Sequence, residues 1–371
     1  MRIAISMLGF RPGHIGGTET YLRQLASHAV EAAGSDTVIL VLTRDNAGQF
    51  PQRGEQRVVV DRSDARLVSA RMLEAFTPYR AWFAERALAE ANPDIVLFPQ
   101  QSIFPKRVSC PCVLTVHDLL HLYLPQYVSL AERAFRRGIY PYSLQRADHI
   151  IANSAFTRKT LIERCGLPGQ DITVTLQGLT KIETALIRPS DKVQGPYLYY
   201  PAATFPHKGH DVLLKTFAAL RSREGFNYKL VLTGLKTPHW NALLKLIGRL
   251  GISAEVVHMG FIPRQEVLEL FQGASAVLFP TMFEGFGRPV WEAAQFRKKV
   301  IVSRLEVFEE IGVPGRFQID FSDPDQFLSA LAAQGPTELK FQPWTAHQMV
   351  DVTFDVLRAT AHANPAGRPA C

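Results

Sequence analysis

Nowhere does this sequence hold an uncharged apolar run of the roughly 20 residues that a membrane-crossing helix needs, so any membrane contact is expected to be peripheral. Cysteine is scarce. Cys110, Cys112, Cys165 and Cys371 lack the paired spacing of a structural zinc site, and so few in 371 residues argue against a disulfide framework. A reducing compartment is expected. The chain opens Met-Arg-Ile-Ala-Ile-Ser-Met, which reads as a buried strand, and no basic stretch with a long apolar run and a cleavage site precedes it. A cytoplasmic protein is predicted. Short-period repeats and low-complexity runs are missing too, apart from a tail beyond Ala361 rich in Ala, Pro and Gly.

What is present describes an ordinary globular protein. Hydrophobic residues make up 47% and charged residues 20%, enough apolar material for a sizeable core. At 371 residues one core usually splits, so two domains are expected. The formal charge of +7, concentrated in the first half, favours an anionic contact such as nucleotide phosphates, an acidic membrane face or nucleic acid.

Short apolar, β-branched runs recur at 3–7, 37–42, 58–60, 95–98, 113–116, 150–152 and 173–176, then at 197–200, 230–233, 255–258, 276–279, 300–302 and 317–319. Continuous apolar runs are what a parallel strand buried on both faces requires. Between them, 19–32, 211–221, 264–272 and 289–296 carry apolar residues at intervals of three and four, which predicts helices. Pro189, Ser190, Gly195 and Pro196 interrupt the pattern within 181–196. The predicted fold class is therefore α/β, with two doubly wound halves whose functional residues lie on loops just after strands.

The strongest motif is Phe-Glu-Gly-Phe-Gly-Arg-Pro-Val-Trp-Glu at 283–292, directly after the run ending Phe279-Pro280. Gly285 and Gly287 permit a tight loop with close backbone approach, and Pro289 suits the first position of a helix. A helix start offers unpaired N–H groups to a diphosphate, and carboxylates such as Glu284 and Glu292 accept hydrogen bonds from sugar hydroxyls. This stretch resembles the Glu-x7-Glu signature of the retaining family 4 glycosyltransferases of the GT-B fold, whose two Rossmann-like domains face a central cleft. The resemblance implies that Glu284, with Gly285, Phe286 and Gly287, holds a donor sugar. It gives Glu292 the nucleotide ribose.

Other segments add to that resemblance. Lys208, in Pro-His-Lys-Gly after the run at 197–200, matches a lysine that clamps the donor diphosphate, while the matching arginine position holds Ala203; Arg288 or Arg264 is expected to supply the missing charge. Gly16 and Gly17 resemble the N-terminal glycine loop, although a Gly-Gly turn before a Thr cap is also common helix punctuation. His117, beside Asp118 at a strand end, resembles the histidine that faces the donor sugar, where it would donate a hydrogen bond or stabilise developing charge. His121 is expected to share that work or to sit with His117 on one helix face. Gly234 and the pair Phe261 and Ile262 resemble loops that approach the phosphates and the base. Asn153-Ser154 reads as an N-cap, and Trp344 as a core residue before a last helix at 346–361.

The resemblance implies an acceptor-binding domain at 1–188, a nucleotide-sugar-binding domain at 189–345 and, at 346–371, a helix crossing back with its tail. It implies hexose transfer with retention, with His117, Glu284 and Lys208 at the reacting centre, the nucleotide-sugar as co-substrate and no cofactor. With no Asp-x-Asp pair placed at the diphosphate, metal-independent transfer is expected. GDP-mannose is the favoured donor, with UDP- or dTDP-sugars as alternatives, and the acceptor a glycan or lipid-linked saccharide of bacterial surface polysaccharide. No nucleic acid partner is expected. Basic, partly apolar stretches at 65–86 and 132–146 are read either as contacts to an anionic membrane or as solvated helix faces. Two other readings remain: a non-catalytic nucleotide-sugar binder, motivated by Ala203, and an NAD-dependent oxidoreductase, which leaves Glu284 and Glu292 without a task.

Overall fold

The computed structural model describes residues 1–11 and 17–364, so the expected site glycine Gly16 lies outside the described residues. The chain forms two compact units, one of Met1–Thr180 with Pro343–Cys371 and one of Lys181–Gln342.

The first unit carries β1 (Arg2–Ser6), β2 (Thr37–Thr43), β3 (Gln56–Val60), β4 (Ile95–Phe98), β5 (Cys112–Val116), β6 (His149–Ala152) and β7 (Ile172–Val174). They form one sheet in the order β3-β2-β1-β4-β5-β6-β7, and each neighbouring pair is parallel. Its helices are α1 (Gly17–Ala33), α2 (Asp64–Phe76), α3 (Trp82–Ala91), α4 (Leu120–Tyr123), α5 (Leu130–Arg146) and α6 (Ala155–Cys165). Successive strand residues feed two different cores. Ala4, Val96, Leu114 and Ile150 pack with Leu67, Ala84, Leu88 and Leu161, whereas Ile3, Ile5, Ile95, Leu97, Val113 and Ile151 pack with Tyr21, Leu22 and Leu25. Strand side chains alternate between faces, so covering both faces is what makes these runs apolar throughout.

The second unit repeats the plan with β8 (Tyr197–Pro201), β9 (Lys229–Thr233), β10 (Val256–His258), β11 (Ala276–Phe279), β12 (Lys299–Ser303) and β13 (Gln318–Ile319). Their order is β10-β9-β8-β11-β12-β13, again wholly parallel. The helices are α7 (His210–Arg221), α8 (Trp240–Leu250), α9 (Arg264–Gly273), α10 (Arg288–Gln295), α11 (Glu306–Glu310) and α12 (Pro324–Ala332). The last strand starts at Gln318 and not at 317, because Gly315–Phe317 close a 3-10 turn. Strand order reverses direction between β8 and β11, which opens a crevice at their carboxyl ends where such sheets take ligands.

The chain then returns to the first unit as α13 (Ala346–Ala363). Thr345 and Gln348 form a capping box at its start, satisfying two otherwise orphan N–H groups. Met349, Val350, Phe354 and Leu357 are fully buried in the core that α1 covers, and Trp344 packs half-buried against it. Arg358 anchors the helix through Asp36 and the carbonyls of Ala32 and Ala33. Among the described residues, no helix is long and apolar enough to cross a membrane.

Candidate active site

Three loops meet at the reversal point of the second sheet. The loop after β8 ends in a 3-10 turn, Pro206–Lys208, closed by Gly209 at φ +70°. A Cβ at Gly209 would stand 2.0 Å from the carbonyl oxygen of Pro280 after β11, so only glycine lets the two loops approach this closely. Met282 N–H donates to the His207 carbonyl over 2.8 Å, and the Tyr200 hydroxyl donates to the Lys208 carbonyl over 2.8 Å. On the other flank, Thr237 donates its N–H to the Thr204 hydroxyl at 2.9 Å and its own hydroxyl to the Thr204 carbonyl at 2.7 Å. Gly234, at φ +125°, donates its N–H to the Gly260 carbonyl at 2.7 Å, and a Cβ on it would lie 2.6 Å from Ala202.

This lacing brings Lys208 and Glu284 together. The ammonium donates to Oε1 over 2.5 Å, and both side chains keep about a fifth of their surface open, 22% and 18%. Sequence reasoning gave Lys208 a diphosphate to clamp and named no protein partner for it. The structure gives it one, because β8 and β11 are neighbours although the two residues are 76 positions apart. A second ionic cluster forms on Glu292, which receives Arg264 at 2.6 Å and Arg288 at 3.5 Å. Both arginines expected to replace the charge absent at Ala203 are thus engaged by the glutamate expected to hold a ribose. Three cations face two carboxylates, leaving one net positive charge beside the start of α10. Burial lowers the Arg288 pKa, against the pull of Glu292, but a guanidinium stays charged.

Within the motif loop, Gly287 sits at φ +84° as the N-cap of α10, with Pro289 in the first turn. Phe286 is 4% exposed, so what this position offers a ligand is its backbone. Gly285 and Glu284 are half-buried. Phe261, by contrast, is 82% exposed on the loop after β10, with Ile262 half-buried beside it, the arrangement of an aromatic face available for stacking.

Two histidines beneath these loops went unnoticed in the sequence reading. His210 is 1% exposed and tilts over Tyr200 at 4.7 Å. Burial first, then the charges of His258 and Lys208, push its pKa down to about 3, while burial and Lys236 bring His258 to about 4. Such residues fold neutral and take up a proton only on unfolding, so stability is full above the ordinary histidine pKa and falls as pH drops from about 6.5. For His210 the loss by pH 4.5 is roughly 2 to 3 kcal/mol. A His210→Phe variant is therefore expected to lose less stability than wild type between pH 6.5 and 4.5 in urea titrations; parallel losses would contradict this.

His117 lies in the first unit at the end of β5 and is 5% exposed. Its Nε2 lies 2.9 Å from the Pro99 carbonyl, an acceptor, so Nε2 carries the proton. Burial lowers its pKa, and Nδ1 is left as an acceptor with no hydrogen-bond partner among the described residues. The expectation that His117 donates to a sugar hydroxyl is corrected on that count: the free ring atom accepts. Tyr21 packs edge-on at 4.9 Å and holds the ring. Asp118 caps Leu120 N–H at 3.1 Å and faces Arg136 at 3.9 Å. His121 belongs to α4 while His117 follows a strand, so the two share no helix face. Ser154 N-caps α6 as expected, accepting from Thr157 N–H at 3.0 Å. Gly17 opens α1 with an exposed backbone.

Sequence reasoning also missed Arg71, hidden in a stretch read as a solvated or membrane face. Its guanidinium donates to Ser102 and lies over Phe104 and Phe135, and no carboxylate within ion-pair distance of it is found among the described residues. One group of described residues has metal-ligand proximity, namely His28, Glu31 and His347 on α1 and α13. It includes none of the expected site residues.

Comparison with known proteins gives this geometry a family. The model described as Glycosyltransferase Family 4 matches residues 15–179, and that described as Glycosyl transferases group 1 matches residues 184–333. The O-antigen chain mannosyltransferase RfbU of Salmonella typhimurium is 24% identical over 68% of this chain and 68% of its own length. The O-antigen chain mannosyltransferase B of Escherichia coli is 23% identical over 57% of this chain, and the match spans 58% of that relative. Among solved structures, Anabaena Alr3699/HepE in complex with UDP and glucose superposes with a TM-score of 0.60 at 16% identity, covering 97% of this chain and 100% of that one. A glycosyltransferase from Rickettsia africae gives a TM-score of 0.61 at 14% identity, covering 96% and 98%. The two family models follow each other along residues 15–333, each on one of the two sheets, and the chain belongs to the family 4 glycosyltransferases of the GT-B fold.

Proposed function

We propose that the chain moves a hexosyl group, mannose from GDP-mannose in the favoured case, to a glycan or lipid-linked saccharide, with retention at the anomeric carbon and without a metal ion. The observation that carries this reading is the Lys208–Glu284 pair at the strand-order reversal of the second unit, flanked by Glu292 and the start of α10. The choice of mannose leans on the relatives named as mannosyltransferases.

Lys208 pairs with Glu284 and both arginines with Glu292, which leaves one positive charge in excess. An arriving diphosphate competes with Glu284 for the Lys208 ammonium, and its greater charge favours it over the single carboxylate. Glu284 is then free to accept hydrogen bonds from the sugar hydroxyls, and Glu292 from the ribose. When the bond from the anomeric carbon to the diphosphate oxygen breaks, the electron pair leaves with the nucleotide. Lys208 and the N–H groups opening α10 stabilise the charge that gathers there. The acceptor hydroxyl forms the new bond on the face the nucleotide leaves, and its proton passes to the departing diphosphate oxygen, which holds the electron pair of the broken bond. His117, neutral and with Nδ1 open, accepts a hydrogen bond from a sugar hydroxyl. The first unit binds the acceptor.

A non-catalytic binder is the second reading, favoured by Ala203 and by the engagement of both candidate arginines on Glu292. A screen of GDP-, UDP- and dTDP-sugars separates the two. Free GDP is expected from GDP-mannose at a rate unchanged by EDTA. Tight donor binding with no nucleotide released would favour the binder, and loss of activity with chelator, restored by a divalent ion, would remove metal independence.

A further inference from the structure

Where α13 packs on α1, three side chains with metal-binding atoms meet. His28 and Glu31 are one turn apart on α1 and share a face, and His347 in the first turn of α13 comes against them. One ligand atom from each lies within 4.8 Å of the other two. His347 Nε2 stands 3.1 Å from a Glu31 carboxylate oxygen, and the His28 and His347 ring centroids are 4.0 Å apart, inclined at 48°.

An ion pair between side chains this open to water, 53% for His347 and 71% for Glu31, contributes little by itself. It also leaves His28 out, a half-buried imidazole with no hydrogen bond among the described residues. Bonds of about 2.0 to 2.2 Å to nitrogen and oxygen place the ligand atoms of a tetrahedral zinc ion roughly 3.3 Å apart. The His347–Glu31 separation is already close to that value, and both exposed side chains are free to turn onto His28. Two imidazoles and one carboxylate suit zinc, which takes three such side chains and a water.

The surrounding charge decides in favour of a cation. Besides His347, the charges acting on His28 are Glu31 and Asp351 against Arg53, a balance of one negative charge. Asp351 follows His347 by one turn on the same face of α13. Glu31 lies in the last turn of α1, whose carbonyl end attracts a cation, and His347 at the N–H end of α13, which repels one, so the two helix ends offset each other.

The position is also a junction. The chain leaves the first unit after Thr180 and returns to it at Pro343, and the two passages run side by side. Leu179 N–H donates to the Trp344 carbonyl at 2.8 Å, and a Cβ on Gly178 would stand 2.6 Å from the Cα of Ala346. His347 is the next residue. Arg358 fastens the later turns of α13 to Asp36, whereas these three residues stand at its first turn.

We propose that His28, Glu31 and His347 bind a zinc ion, with water in the fourth position, and that the ion fastens the start of α13 to α1. The ligands come from two helices more than 300 positions apart in sequence, so the ion binds the folded chain and stabilises it by mass action. The proposal does not depend on the transferase reading, since none of the three residues is placed at the reacting centre.

The test uses the full chain, stripped with EDTA, desalted and titrated with zinc sulfate by isothermal titration calorimetry, with thermal unfolding followed at each concentration. One site per chain is expected to dominate, and Tm should rise with zinc. His347→Ala and Glu31→Gln should each weaken that site roughly tenfold or more, because losing a ligand costs at least as much as losing a group behind one. His362→Ala removes an exposed histidine of the same helix outside the cluster and should bind zinc as wild type does. Without zinc, all three variants should unfold near the stripped wild type, which separates a lost ligand from a damaged fold. Equal zinc binding in wild type, His347→Ala and Glu31→Gln, a Tm that does not move with zinc, or a loss in His362→Ala as large as in His347→Ala would overturn the proposal. EDTA strips this ion too, so the chelator arm of the donor screen is run at a temperature where the stripped chain stays folded. Zinc binding without nucleotide release defeats the transferase reading and leaves this site, and release without zinc binding does the reverse.

Discussion

Glu284→Ala is expected to lower kcat/KM for nucleotide release from the donor by roughly 10²- to 10³-fold, the usual effect of removing one group aimed at the reacting centre. The fold should survive. Glu284 and Lys208 are both partly exposed, and ion pairs in contact with water contribute little to stability. Lys208→Ala should cost a similar factor by removing a cation from the leaving diphosphate. The double variant should be less damaged than the product of the two single effects, because residues that share one partner couple. Glu284→Gln keeps a carbonyl for the sugar hydroxyls but releases Lys208 from its partner, so its KM should be nearer wild type than that of Glu284→Ala. Full activity in Glu284→Ala, measured by released nucleotide under saturating donor, would remove Glu284 from the chemistry.

Gly209→Ala is expected to be the more destructive change for the fold, at about 3 kcal/mol or more, because two costs combine. The residue is in the left-handed region at φ +70°, and its new Cβ would stand 2.0 Å from the Pro280 carbonyl oxygen, a separation no side chain tolerates. The loops after β8 and β11 must part, and the Lys208–Glu284 pair with them. Gly195→Ala supplies the control. It shares the left-handed backbone at φ +81° but has open space around it, so it should cost only about 1 kcal/mol. Urea unfolding of the two variants measures the difference, and similar midpoints would show that the close approach to Pro280 carries no weight.

The sheets were legible because burial on both faces writes itself into each strand separately. Ile95–Phe98 and Ala276–Phe279 are fully buried runs whose ends the sequence marks directly. Helix starts were legible where chemistry is local, as at Ser154 and at Gly287 with Pro289. What lay beyond reading depends on which strands become neighbours. Lys208 meets Glu284 only because β8 lies beside β11, and the His117 tautomer is set by the carbonyl of Pro99, which follows a different strand. Arg264 and Arg288 converge on Glu292 from two helices, so sequence alone offered them as free substitutes for the charge missing at Ala203. The stretch at 132–146 showed its arginines and leucines in order, but not that α4 and α6 close a cavity against them.

A crystal structure of the chain with a bound nucleotide-sugar, GDP-mannose first, tests the central claim most directly through the position of the Lys208 ammonium. The account predicts that it leaves Glu284 and lies within hydrogen-bond distance of a diphosphate oxygen, with the Glu284 carboxylate on the sugar hydroxyls and Glu292 on the ribose. A diphosphate held elsewhere, with the 2.5 Å Lys208–Glu284 pair intact, would contradict it.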